Sequence, residues 1–164
     1  MSELVSIVYK PKLAEPNGTE YMRVMLKETV LIPDYGIVGD AKGGGKRQLN
    51  IMSNTAVEQL AAEGFSAKPG QLGEQLILGG MDVDALAPGS LIRIGEDACV
   101  ELTEPRTGCG KFERYQGKSP LLAAGRLGMM ARVVAGGPIA VGDAVVVIER
   151  TNEVTEPSRG RDAG

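Results

Sequence analysis

Short apolar or alternating stretches, broken at close intervals by glycine and proline, dominate this chain. From Leu4 to Tyr9, Val5, Ile7 and Tyr9 alternate with their neighbours, the period-two signature of a half-buried strand. Pro11 and Pro16-Asn17-Gly18 mark a turn region. Met22 to Ile32 is apolar enough for one or two strands and is closed by Pro33-Asp34-Tyr35-Gly36. Gln48 to Met52 predicts another short strand. Beyond Gln71 the texture repeats: Leu76-Ile77-Leu78 before Gly79-Gly80, Leu91 to Ile94 before Gly95, Cys99 to Thr103 before Pro105. Met129 to Ala135 and Ala144 to Ile148 read as closing strands. Strands at this spacing predict a mainly β barrel or sandwich with one or two short helices.

One helix is well marked. Ser53, Asn54 and Thr55 all suit an N-cap, and Thr55 with Glu58 has the spacing of a capping box. Val57, Leu60 and Ala61 then share a face, and Gly64 supplies a left-handed stop. A second helix is predicted from Ser119-Pro120 through Leu121-Leu122-Ala123-Ala124 to Gly125, proline being favoured in the first helical turn.

With 164 residues the chain fits one domain, read here as 1–150, followed by a polar tail at 151–164 that is predicted to be disordered. The 23 glycines are about twice the usual share and match the many turns. Histidine is absent. That excludes a Ser–His–Asp triad, a Cys–His dyad, His-ligated zinc and imidazole acid–base catalysis. A formal charge of −3 and 4% aromatic residues argue against a nucleic-acid partner, which needs a basic surplus or stacking platforms. No apolar run approaches the ~20 residues that cross a bilayer. The first residues are too short and acidic for a signal peptide, and two cysteines make no disulfide framework, so a cytoplasmic location is expected.

The chemistry must then come from cysteine, carboxylates, cations or a cofactor. Cys109 is the leading candidate. It follows a predicted strand, lies between Gly108 and Gly110, and has Arg106, Lys111 and Arg114 nearby to favour its thiolate, the form that attacks sulfur or binds metal. The bland alternative is a small residue in a turn. Cys99 sits in an alternating run and reads as packing; a Cys99–Cys109 disulfide fits the spacing but not a reducing compartment. The loop Gly39-Asp40-Ala41-Lys42-Gly43-Gly44-Gly45-Lys46-Arg47 offers successive amides and cations to an anion, or else is a flexible hairpin. It fails the P-loop pattern, because Arg47 follows Lys46 where Ser or Thr is required. Asp40 and Glu74 stand in glycine-rich settings, where carboxylates commonly fix turns.

These pieces, taken in order, resemble the MOSC family, the domain found at the C-terminus of molybdenum-cofactor sulfurases and as small stand-alone proteins. The resemblance runs through Gly36-Ile37-Val38-Gly39-Asp40, Arg47-Gln48-Leu49-Asn50-Ile51 and Gly70-Gln71-Leu72-Gly73-Glu74-Gln75-Leu76. It continues through Leu86 to Gly95, Glu101-Leu102-Thr103 with Arg106 and Cys109, Gly128 to Val134, Gly136-Gly137-Pro138-Ile139 and Gly142-Asp143. Two features depart from it: Gln75 replaces the family's asparagine in Gly-Glu-Asn-Leu, and the glycine-rich loop lacks the histidine of some members.

The resemblance implies a β-barrel-like domain with Cys109 in the signature cysteine position. There it either receives sulfur as a persulfide and passes it to a metal–sulfur centre, or ligates the metal of the molybdenum cofactor. Lys46, Arg47, Arg106, Lys111, Arg114 and Arg132 are the cations expected to meet the pterin phosphate, with Asp40 and Glu74 framing the site. Three functions are implied: cofactor handling or sulfur carriage, molybdenum-dependent reduction of compounds such as N-hydroxylated ones, or cofactor binding alone. No pyridoxal-phosphate domain lies in this chain, so sulfur would come from a partner: a sulfur donor, a cofactor-biosynthesis protein or a reductase.

Overall fold

A computed structural model describes residues 1–12 and 23–148. The turn at Pro16-Asn17-Gly18 and the tail 151–164 fall outside these residues.

Eleven strands are seen among the described residues. They are β1 (Glu3–Tyr9), β2 (Val24–Leu26), β3 (Glu28–Ile32), β4 (Gly36–Ile37), β5 (Leu49–Ser53), β6 (Leu76–Gly79), β7 (Leu91–Ile94), β8 (Ala98–Pro105), β9 (Met129–Ala135), β10 (Gly137–Ala140) and β11 (Val145–Ile148). Eight form one sheet in the order β11-β7-β8-β9-β5-β6-β1-β2, and β10-β3-β4 form a second. The fold is mainly β, as the strand spacing predicts.

The large sheet curls without closing into a ladder. Its β1, next to the β2 edge, meets the start of β11 at the other edge, where Glu3 bridges to Ala144, the Leu4 amide donates to the Asp143 carbonyl at 2.9 Å and the Val145 amide to the Ser2 carbonyl at 3.1 Å. All neighbours in the sheet are antiparallel except β5 and β6. A parallel pair needs a crossover, and helix α1 (Asn54–Ala62) supplies it.

That crossover creates two cores. Inside the curl, Leu4, Ile7, Ile51, Leu76, Leu78, Val100, Leu102 and Val133 pack together. On the outer face, Met52 of β5 and Ile77 of β6 pack on Val57 and Leu60 of α1 with Phe65, Leu72 and Phe112. Strands covered on both faces carry continuous apolar runs, which explains why Leu76-Ile77-Leu78 does not alternate.

The first helix starts where expected, but not through its capping box. Ser53 is the N-cap and its hydroxyl makes no cap bond, because Oγ accepts instead from the Val83 amide at 2.6 Å. Gly64 ends the helix in the left-handed region, at φ 96°.

The second helix corrects the expectation. Pro120–Ala123 forms only a short 3₁₀ turn, with the Ser119 hydroxyl accepting from the Leu121 amide at 3.2 Å. The true second α-helix, α2, is Gly110–Gln116, closed by Gly117 at φ 70°. Phe112 is its only buried residue, too few apolar positions to show a helical period. Tertiary contacts fix it instead. Phe112 lies 6.1 Å from Phe65 between ring centroids, and Gln116 exchanges hydrogen bonds of 2.7 and 3.0 Å with the Ser66 backbone. The result is a helix whose first residue directly follows Cys109. No described helix is long and apolar enough to cross a membrane.

Candidate functional site

Cys109 is solvent-exposed and is the N-cap residue of α2. Gly108 and Gly110 beside it do not take up left-handed backbone. Gly108 is needed for space, since a Cβ there would lie 2.4 Å from Cβ of Pro120. Cys99 is half-buried on β8, and the two cysteines are both free.

The thiol opens onto a cleft that encloses about 80 Å³ and is otherwise open to solvent. One side comes from Arg23 ahead of β2 and from Lys42 and Arg47 in the glycine-rich loop. Asn50 of β5 and the turn Gln71–Gly73 form the floor with Gln75. Arg106, Thr107, Lys111 and Phe112 complete it around Cys109. Among the described residues the lining thus holds five cations and no carboxylate.

Each wall has a structural cause. The glycine-rich loop is not a free hairpin; it wraps the Tyr35 ring, and a Cβ at Gly43 would lie 2.3 Å from that ring. Its amides are largely engaged within the protein: Ala41 donates to the Lys10 carbonyl, Lys42 to Asp40 Oδ1, Gly43 to the Asp40 carbonyl and Gly44 to the Tyr35 carbonyl. An amide cradle for an anion is therefore not what this segment forms. Its contribution is the Lys42 and Arg47 side chains.

Asp40 and Glu74 lie behind the wall, at 0% and 1% exposure. Asp40 accepts from the Lys10 and Lys42 amides at 3.2 and 3.1 Å and from Gln75 Nε2 at 3.2 Å. Gln75 in turn accepts the Asn50 amide on Oε1 at 2.8 Å, so the longer amide ties loop, floor and carboxylate together. Glu74 Oε2 accepts from the Gly70 amide at 2.6 Å. Burial raises its carboxyl above the usual range, opposed by the Gly70 amide and by the nearby Arg106 and Arg23.

Arg106 is the most constrained cation. Its Nη1 donates to the Leu72 carbonyl, and its guanidinium stands 5.8 Å over the Phe112 ring. It also packs against Gly73, where a Cβ would fall 2.4 Å from Nη2. Burial pushes Arg106 down to about 10, with Glu74 and Cys109 acting the other way, so it stays charged at neutral pH. Lys42 is lowered by partial desolvation and then by the like charges of Arg23, Lys111, Lys10 and Arg47.

These surroundings act on the sulfur. The Cys109 thiol is lowered from its ordinary value, first by the Phe112 backbone N–H at the start of α2. Partial burial opposes this, and the Lys111 amide, Arg106 and Arg47 add to it. Cys99 is shifted the other way by burial. Thiolate is the alkylated form, and a lowered value keeps it populated at lower pH. Iodoacetamide should therefore modify Cys109 with a midpoint below that of free cysteine, while Cys99 reacts much more slowly. Salt screens the two guanidinium groups but not the local amide, so 1 M salt should raise the midpoint only partly. Peptide mapping of alkylation against pH checks this; equal pH profiles for the two cysteines would contradict it.

Of the residues singled out in the sequence, Cys109, Arg47, Arg106 and Lys111 line the cleft together. Lys46 and Arg114 are exposed and do not line it. Arg132 is drawn elsewhere, paired with Glu101 at 3.1 Å and Asp34 at 3.0 Å. Arg23, Lys42, Asn50, Gln71 and Thr107 line the cleft without having been singled out. Lys42 stood in the quoted loop, whereas Arg23 carried no local signal.

The sequence model of the MOSC domain family matches residues 38–146. A curated relative named "Reductase", from Gibberella moniliformis (strain M3125 / FGSC 7600), is 32% identical over 85 residues, 49% of this chain and 15% of its own length. The chain thus spans only a small part of that relative. Among solved structures, YiiM from Geobacillus stearothermophilus superposes with a TM-score of 0.66 at 23% identity, covering 92% of this chain and 76% of that one. YiiM from Escherichia coli gives 0.67 at 22%, covering 90% and 70%. The YUAD protein from Bacillus subtilis gives 0.66 at 20%, covering 88% and 94%. These structural likenesses establish the fold.

Proposed function

The chain belongs to the MOSC domain family, and from that premise we propose that its cation-lined cleft binds the molybdenum cofactor with Cys109 as the protein's sulfur ligand. The observation that carries the reading is the exposed, acidified thiol of Cys109 in a cleft lined, among the described residues, by five cations and no carboxylate. The donor set suits such a group. Thiolate is a soft ligand for a thiophilic metal, and guanidinium groups match phosphate oxygens in a bidentate fork.

Two details of the lining agree with a polar ligand. Nε and Nη1 of Arg23 and Oδ1 of Asn50 are covered and have no hydrogen-bond partner. Buried polar atoms are seldom left so unless a water or ligand meets them. When bound, the cofactor supplies a redox-active metal. The chain's own part is narrower: Arg106, fixed by Leu72 and Phe112, and Arg47 orient the phosphate and, after the Phe112 amide, favour the thiolate of Cys109. Asp40 and Gln75 keep the loop and floor in register.

The exposure of Cys109 favours a second reading, in which the thiolate carries sulfur between partner proteins, since a sulfur donor or reductase can reach it directly. One preparation separates the two. Protein purified from cells that make the cofactor should contain molybdenum and pterin near one per chain, with little cyanide-releasable sulfur. Releasable sulfur near one per chain without molybdenum would establish the second reading and overturn the first.

A further inference from the structure

We propose that the cleft is built for a ligand bearing a diphosphate, with Arg23 and Lys42 meeting the second phosphoryl group. This rests on reading the cleft as an anion site, and requires neither molybdenum nor pterin.

One phosphate monoester carries about −1.5 to −2 at neutral pH, which answers two of the five cations in the lining. Among the described residues, no carboxylate of the lining pairs with Arg23, Lys42, Arg47 or Arg106. The two acidic side chains close by are buried behind the lining: Asp40 is engaged with the Lys10 and Lys42 amides and with Gln75, and Glu74 Oε2 with the Gly70 amide, while Glu74 acts on Arg106 and Arg23 through its charge alone. The ion pairs seen among the described residues join Arg126 to Glu63 and Arg132 to Glu101 and Asp34, and none involves Arg23, Lys42, Arg47 or Arg106.

The cations also crowd one another. Lys42 is disfavoured by Arg23, Lys111 and Arg47, and Arg106 by Arg47 and Arg23. Such crowding costs stability in the free protein and is relieved by an anion spread across the group. Arg23 adds a separate observation. It belongs to the lining, and its Nε and Nη1 are covered and unpartnered, so a small shift of the guanidinium toward an anion gains hydrogen bonds without breaking any that those atoms make.

Why one diphosphate and not two anions? All five cations border a single cleft, and Lys42 and Arg106 each sense the charge of Arg23 and Arg47, so two separate phosphates held there would repel at the same range. A covalent bridge offsets that repulsion and brings the second group without a second loss of translational freedom.

Calorimetry on the metal-free chain tests this, with inorganic phosphate and pyrophosphate as probes. Pyrophosphate should bind one per chain, at least about thirtyfold more tightly than phosphate. Arg23→Gln should weaken pyrophosphate about tenfold and phosphate less than about threefold. Lys42→Gln, in an exposed loop, should show the same selective loss and stands in if the Arg23 variant does not fold. Equal affinities for the two probes, two phosphates bound per chain, or equal losses of both probes in the variants would overturn the proposal. Loss of molybdenum binding with pyrophosphate preference intact would sink only the cofactor reading.

Discussion

Replacing Cys109 by serine should leave the fold intact and reduce retained molybdenum at least about tenfold, while pterin stays bound. The fold is expected to survive because Cys109 is exposed and belongs to neither core, so the stability change should fall within about 0.5 kcal/mol. The metal loss follows from donor chemistry. A serine hydroxyl is a hard, neutral donor at physiological pH, and the Phe112 amide and the two guanidinium groups that favour a thiolate cannot ionise it. The pterin is expected to remain because Arg23, Arg47, Arg106 and Lys111 are untouched by the substitution. Metal analysis and pterin fluorescence on the same preparation check both halves. Joint loss of pterin and metal would place Cys109 in cofactor retention as a whole and remove its separate role as sulfur ligand.

The second large effect concerns the backbone that positions Arg106. Gly128 adopts φ 84°, and a Cβ there would lie 2.1 Å from the Ile51 carbonyl oxygen. That neighbour is main chain in a paired strand and cannot step aside. Gly128 also donates to Asp84 Oδ1 at 2.9 Å and accepts the Arg106 amide at 2.9 Å. Gly128→Ala should therefore cost roughly 3 kcal/mol or more, from left-handed strain and displaced backbone together.

Gly73 makes an instructive contrast. Its φ of 88° is as unfavourable for alanine, but the atom a Cβ would strike is Nη2 of Arg106, the far end of a flexible side chain. Gly73→Ala should cost only about 1–2 kcal/mol in strain. Its larger consequence is local: Arg106 leaves the Leu72 carbonyl and the Cys109 thiol titrates higher. Urea unfolding of both variants beside thiol titration checks the pair. Equal destabilisation with unchanged thiol behaviour in Gly73→Ala would show that Arg106 does not act on the sulfur.

Much of this architecture is written locally in the chain. Alternation and turn residues predict most strands, and Gly64 predicts the end of α1. The failures share one cause, dependence on partners distant in sequence. The second helix has a single buried residue, and what stabilises it is Phe65 and Ser66, more than 40 positions away. Pro120 carries a good helix-start signal, yet Leu121 and Leu122 find nothing to pack against and remain exposed. The site divides the same way. Cys109, Arg106 and Lys111 are close in sequence and so stand out as a group, while Arg23 is brought to them by the pairing of β2 with β1. Arg132 misleads for the converse reason: strand register sets it directly opposite Glu101, a charge pair visible only once β8 and β9 are aligned.

The account stands on a sulfur–metal contact at Cys109, and molybdenum X-ray absorption of the wild-type holoprotein beside Cys109→Ser tests it most directly. The wild type should show one more sulfur scatterer than the variant, even in the small fraction of metal the variant keeps. Indistinguishable spectra at equal metal loading would contradict it.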